Sequence, residues 1–206
     1  MKLLRVISTV KPIGGRHIEG VKQLYAAMKA LGADLEVACC DGPDTPSLSS
    51  CGLPTVHALG LARMGYAHTP RLPSWLRQNA PRFDAVIVIG RWQYHGVAAR
   101  QALAGTQVPY LGFTHGTLDP WFKHTYPLKR LKKWLCWPWG EYRVLRDARA
   151  VTFTCEEERL LARKSFWFYR ANEALTSYGT ARPPGNDAEL ARRFLTGQPQ
   201  LQGKRI

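Results

Sequence analysis

Short apolar runs of strand character alternate along this chain with stretches whose apolar residues recur at helical spacing. Residues 3–8 form a first strand candidate. In residues 18–31, Val21, Leu24, Tyr25, Met28 and Leu31 fall at i, i+3, i+4, i+7 and i+10, which predicts one buried helix face. Gly32 follows as a C′ glycine, and residues 34–40 read as a second strand. Residues 41–53 are rich in Pro, Ser and Gly and read as loop. A third strand is expected at 55–59 and a short helix at 73–80. The run Ala85-Val-Ile-Val-Ile89 has the unbroken apolar character of a strand covered on both faces. A helix at 94–103 leads to a strand at 109–113. A long basic helical region follows, interrupted at Pro138, and then a strand at 151–154, a short helix to about Ala162 and a last strand at 174–178. Beyond Gly179 the chain is linker-like, with one more helix at 187–195. Strand and helix in alternation predict an α/β fold, a doubly wound and mostly parallel Rossmann-like sheet.

In such a sheet ligands bind outside the C-terminal ends of the strands, so the residues just after each strand carry the chemistry. After the first strand, Gly14 and Gly15 precede a helix. They allow close backbone approach, and the free N–H groups of a helix start favour a phosphate. This is not the G-x-G-x-x-G dinucleotide fingerprint, and a tight turn explains it equally well. After residue 89 come Trp92, Tyr94 and His95, which combine stacking faces with hydrogen-bonding groups, as sugar recognition requires. After residue 113 comes His115, in a loop and not on an apolar stripe. These six residues are expected to gather at one edge of the sheet. Thr154 and Glu157 have the spacing of a capping box and are read as structural.

Composition narrows the picture at three points. The 206 residues hold one large domain, or one domain and a tail, and no run reaches the roughly 20 apolar residues of a membrane span. The five cysteines form no C-x-x-C pair and no histidine stands at zinc-finger spacing, so free thiols in a cytoplasmic protein are expected and no metal site. The formal net charge of +14 is unusual and calls for an anionic partner or for none. No nucleic-acid motif is present, so nucleic acid is not expected. Between 127 and 139, Lys129, Arg130, Lys132 and Lys133 surround a helix on which Leu128, Leu131 and Leu135 share a face, and Trp134, Trp137 and Trp139 follow. That pattern fits either a core-packed helix with a solvated basic face or an interfacial helix on an anionic membrane.

Taken in order, several of these segments resemble the N-terminal domain of family-four retaining glycosyltransferases, enzymes with two facing Rossmann-like domains (the GT-B architecture). The segments are Gly14-Gly15 with Glu19-Gly20-Val21, Trp92-Gln93-Tyr94-His95-Gly96, and His115-Gly116-Thr117-Leu118-Asp119-Pro120-Trp121. Tyr126 to Lys133 and Thr154-Cys-Glu-Glu-Glu158 complete the set. The resemblance covers residues 1–180. It implies transfer of a hexose from a nucleotide sugar to a glycan or lipid-linked acceptor, in surface polysaccharide synthesis, with no cofactor and no metal. It places His115 near the transferred sugar as the catalytic candidate, Gly14 and Gly15 beside the donor diphosphate or the acceptor, and Trp92, Tyr94 and His95 on the acceptor side.

The family's second domain, which holds most of the nucleotide-sugar site and a spaced pair of glutamates, has no counterpart in these 206 residues. Residues 181–206 are therefore expected to be the linker and helix leading to a donor-binding domain supplied in cis or in trans, and the chain alone is expected to be inactive. The alternative is a non-catalytic half-enzyme that binds a glycan or scaffolds a partner. The basic segment adds an expectation of peripheral attachment to the inner face of the membrane.

Overall fold

The computed structural model describes residues 1–11, 16–60, 66–90, 92–120, 127–176 and 185–204. Seven strands form one sheet: β1 (Lys2–Ile7), β2 (Asp34–Cys39), β3 (Val56–Ala58), β4 (Ala85–Ile89), β5 (Tyr110–Phe113), β6 (Ala150–Phe153) and β7 (Glu173–Leu175). Their order is β3-β2-β1-β4-β5-β6-β7, and every pairing is parallel. The order reverses at β1, which pairs with β2 on one side and β4 on the other, so the topological switch point opens between the ends of β1 and β4.

The doubly wound arrangement follows from the side-chain alternation of β4. Val86 and Val88 face a core built with Leu72 and Leu76 of α3 (Arg71–Asn79) and with Ala98, Ala99 and Ala102 of α4 (Tyr94–Leu103). Ile87 and Ile89 face the opposite core, with Val21 of α1 (Arg16–Ala30). Both faces of the strand are thus covered, as its unbroken apolar run requires. Helix α1 ends as expected: Gly32 has φ +70°, and the amide of Ala33 donates to the carbonyl of Met28 at 2.9 Å. Leu31 is a correction. It lies one residue beyond the helix, in the turn that Gly32 closes, and is exposed.

A single helical turn, α2 (Ser47–Ser50), occupies part of the stretch read as loop. The basic region divides at the expected place into α5 (Pro127–Cys136) and α6 (Glu141–Asp147). Helices α7 (Glu156–Ala162) and α8 (Asp187–Gly197) complete the described α-helices, and α8 is capped by the Asn186 side chain, which accepts from the Ala188 amide at 2.9 Å. Among the described residues no helix is long and apolar enough to cross a membrane.

Candidate functional site at the strand ends

Because every strand runs the same way, the residues after β1, β2, β4, β5 and β6 emerge at one edge. Asp41, just past β2, is buried. It accepts from the Thr9 hydroxyl at 2.8 Å and from the Val10 amide at 2.7 Å, which fixes the chain leaving β1 beside the switch point. Gly14 and Gly15, the next residues of interest on that path, lie outside the described residues.

His115 follows β5 in a left-handed conformation, φ 47°, and Gly116 continues it at 73°. A non-glycine residue there carries a strain of about 1–2 kcal/mol. The surroundings that hold it are clear. Glu158 of α7 accepts from the Thr114 hydroxyl at 2.5 Å and the Gly116 amide at 2.6 Å with one oxygen, and with the other from the Thr154 amide and hydroxyl, both at 2.8 Å. One carboxylate thus ties the turns after β5 and β6 together. Burial alone would raise its pKa, but the hydrogen bonds from Thr114, Thr154 and Gly116 outweigh that and hold it below the ordinary glutamate range. The expected capping box is therefore displaced by one residue. The cap of α7 is Cys155, whose sulfur accepts from the Glu158 amide at 3.5 Å, and Glu157 is exposed.

The His115 ring stacks on Phe113, with centroids 5.6 Å apart and planes 24° apart. Beyond Phe113, the guanidinium of Arg5, a buried residue in the middle of β1, lies 5.9 Å from the ring centre. The cation thus packs against the ring that carries His115, two strands away from the turn.

The cluster after β4 is split by the structure. Trp92, at φ 64°, points toward β5: its indole N–H donates to the Thr117 carbonyl at 3.3 Å, and its backbone amide donates to buried Glu141 at 3.0 Å. Tyr94 points the other way, 4.3 Å from His68 and 6.2 Å from Tyr66 between ring centroids. His95 is a correction to the expectation of an acceptor contact. It is fully buried, and its Nε2 donates to the Ile89 carbonyl at 2.6 Å, so it supports the turn from beneath. The left-handed Gly90, φ +88°, passes directly over that ring; a Cβ there would lie 3.6 Å from the imidazole. The structure thus brings His115 and Trp92 together through the 114–117 turn, gives Tyr94 a separate aromatic setting, and withdraws His95.

Trp137 is likewise buried, stacked on Phe166 at 4.4 Å, and does not face outward as a membrane anchor would. The Lys133 ammonium lies 4.7 Å over the Trp92 ring. Lys129, Arg130 and Lys132 belong to α5, with side chains outside the described ones. All five cysteines are free thiols, with Cys39, Cys40 and Cys51 buried and Cys136 and Cys155 exposed. Among the described residues no group of three His, Cys, Asp or Glu side chains is placed to hold a metal. A shallow pocket of about 340 Å³ lies at the opposite end of the sheet, lined by the loop from Leu103 to Tyr110 and by Asp147 and Arg149. Its carboxylate is already engaged by Arg100 and Arg146, both at 2.6 Å, so the strand-end edge remains the better candidate.

Three comparisons bear on this geometry. Residues 18–179 match the family described as a glycosyl transferase 4-like domain. The structure is similar to sucrose-phosphate synthase from Thermosynechococcus elongatus, with a TM-score of 0.59 and 16% identity over 94% of this chain and 52% of that one. It is also similar to a glycosyltransferase from Rickettsia africae, with a TM-score of 0.55 and 11% identity over 96% of this chain and 49% of that one. At these identities the likeness is one of fold, and the chain spans about half the length of either structure. No curated protein matches the chain significantly.

Proposed function

The chain belongs to the glycosyl transferase 4-like domain family, and from that premise we propose that residues 1–180 are the acceptor-side half of a retaining transferase that moves a hexose from a nucleotide sugar to a glycan or lipid-linked acceptor. The observation that carries this reading is the His115–Gly116 turn: a strained histidine at a strand end, stacked on Phe113, braced by Glu158 and joined to Trp92. Strain of this kind persists where the surroundings over-determine it, and it is concentrated at working sites.

In the proposed reaction the bond from the sugar's anomeric carbon to the donor diphosphate breaks, and a bond to an acceptor hydroxyl forms on the same face. The acceptor's proton leaves with the diphosphate oxygen. His115 lies against the transferred sugar, Trp92 and Tyr94 flank the acceptor, and the 14–15 loop approaches the diphosphate or the acceptor. Backbone N–H groups stabilise the departing charge without a metal or other cofactor. His95 is a positioning residue that holds the turn carrying Trp92. A second domain, in cis or in trans, supplies most of the donor site, and residues 181–206 lead toward it. The biological setting that fits this chemistry is surface polysaccharide synthesis on the cytoplasmic side.

The test is sugar transfer from a panel of nucleotide sugars, measured for the 206-residue chain alone and joined to a donor-side domain. Transfer only by the joined protein supports the proposal. Transfer by the chain alone removes the need for a second domain, and glycan binding with no transfer in either form replaces catalysis with a scaffolding role.

A further inference from the structure

Helix α5 turns its apolar side outward. Leu131, Trp134 and Leu135, at i, i+3 and i+4, are all exposed. Trp134 meets Trp167 edge-on, with ring centroids 5.4 Å apart, and Phe168 follows in the same loop. Trp167 is 68% and Phe168 84% exposed, values that water alone does not favour for rings of this size. The loop is nonetheless anchored: the Trp137 indole N–H donates to the Trp167 carbonyl at 2.8 Å, and φ 54° at Phe168 sets its backbone in the left-handed region. The outward rings are therefore displayed by a braced segment.

The segment that holds α5 is basic in sequence, within a chain of formal net charge +14. Residues 127–149 contain Lys129, Arg130, Lys132, Lys133, Arg143, Arg146 and Arg149 against Glu141 and Asp147; of these, Arg149 lines the pocket at the opposite end of the sheet and does not belong to this face. Glu141 is buried behind Trp92, and Asp147 pairs with Arg100 and Arg146, which takes Arg146 out of that excess. Exposed Trp139 carries the Arg143 guanidinium 5.4 Å over its ring. Aromatic rings beside cations are the composition of membrane–water interfaces, with the rings at headgroup depth and the cations at lipid phosphates.

We propose that Leu131, Trp134, Leu135, Trp139, Trp167 and Phe168 form a docking surface for an anionic phospholipid bilayer. The surface is continuous with the candidate site. Trp92 lies 5.1 Å from Phe166 and 6.0 Å from Trp137, which stack on each other, and the Trp137 indole holds the Trp167 carbonyl. Docking here brings the strand-end edge to the lipid surface, where a lipid-linked acceptor presents its headgroup. The inference deepens the transferase reading by assigning the acceptor to the membrane, but its test needs no sugar transfer, so either can fail without the other.

The test is co-sedimentation of the full 206-residue chain with phosphatidylcholine vesicles and with vesicles containing phosphatidylglycerol, at low and high salt. Binding to the anionic vesicles at low salt is expected, weakened at least about tenfold by high salt, since contacts beyond a Debye length of about 10 Å are screened at 0.1 M. Replacing both exposed rings, Trp167→Ser with Phe168→Ser, is expected to weaken it at least about tenfold. In the unaltered chain, lipids brominated near the headgroup should quench tryptophan emission, a readout that does not depend on any variant folding. No sedimentation with anionic vesicles at low salt, binding that ignores lipid charge, unchanged binding by the double variant, or absence of quenching would each overturn the proposal and leave this face to a protein partner.

Discussion

Removing the Glu158 carboxylate should loosen the candidate site and the fold together. Glu158→Ala takes the acceptor from four donors: the Thr114 and Thr154 hydroxyls and the Gly116 and Thr154 amides. The Thr114 hydroxyl can turn to the Thr152 carbonyl, 3.1 Å away, so it loses least. The two amides matter most. Each hydrogen bond to a charged group contributes about 1.5–3 kcal/mol net, and water reaching this half-buried carboxylate would recover part, so a loss of about 2–4 kcal/mol is expected. Glu158→Gln keeps one oxygen but points N–H groups at donors, for a loss of about 1–2 kcal/mol. The pH dependence has a definite sign. The folded pKa is lowered, so the stabilisation is fully present above the unfolded value of about 4.3 and is lost as pH falls through the folded value. The gap between wild type and Glu158→Gln should therefore narrow in acid. Urea unfolding followed by circular dichroism and tryptophan fluorescence measures the losses, and amide exchange at residues 114–117 shows where they act. A loss under about 0.5 kcal/mol for Glu158→Ala, with unchanged exchange in that turn, would refute the bracing role.

Three further outcomes are expected. Asp41→Ala should cost about 2–4 kcal/mol in urea unfolding, because it strands the buried Val10 amide and frees the chain leaving β1. His95→Ala should cost a similar ~2–4 kcal/mol by leaving a cavity and an unpaired Ile89 carbonyl, and should increase exchange at Gly90, Trp92 and Gln93. In the native protein a thiol reagent near neutral pH should modify Cys136 and Cys155 rapidly, while Cys39 and Cys40, pushed up to about 12 by burial, react only after unfolding.

How far the fold and the site could be read in advance depended on the range of the interactions. Strand β4 and helix α4 were legible to the residue, because an unbroken apolar run and a sharp change of period are local signals. The edge holding Trp92 and His115 followed from topology alone, since residues after parallel strands emerge together. The role of Glu158 was not legible. Its partners at 114 and 116 lie on another strand end, and nothing local distinguishes it from Glu157. Arg5 was hidden for the same reason, as one charge inside an otherwise regular strand. His95 and Trp137 show the limit of reading aromatic and imidazole groups from their neighbours. Both lie in segments rich in interaction chemistry, yet both are core residues, while Trp167 and Phe168 gave no periodic signal and are strongly exposed.

The central claim is that the strand-end edge, with His115 at its centre, performs sugar transfer. The most direct measurement is kcat and KM for His115→Ala in the chain joined to a donor-side domain, with circular dichroism confirming the fold. The account predicts a fall in kcat of about 10²–10³ with little change in KM for the acceptor, the signature of a contact that matters most in the transition state. A kcat within about twofold of wild type, which is under about 0.5 kcal/mol of barrier, would contradict it and return His115 to a structural role.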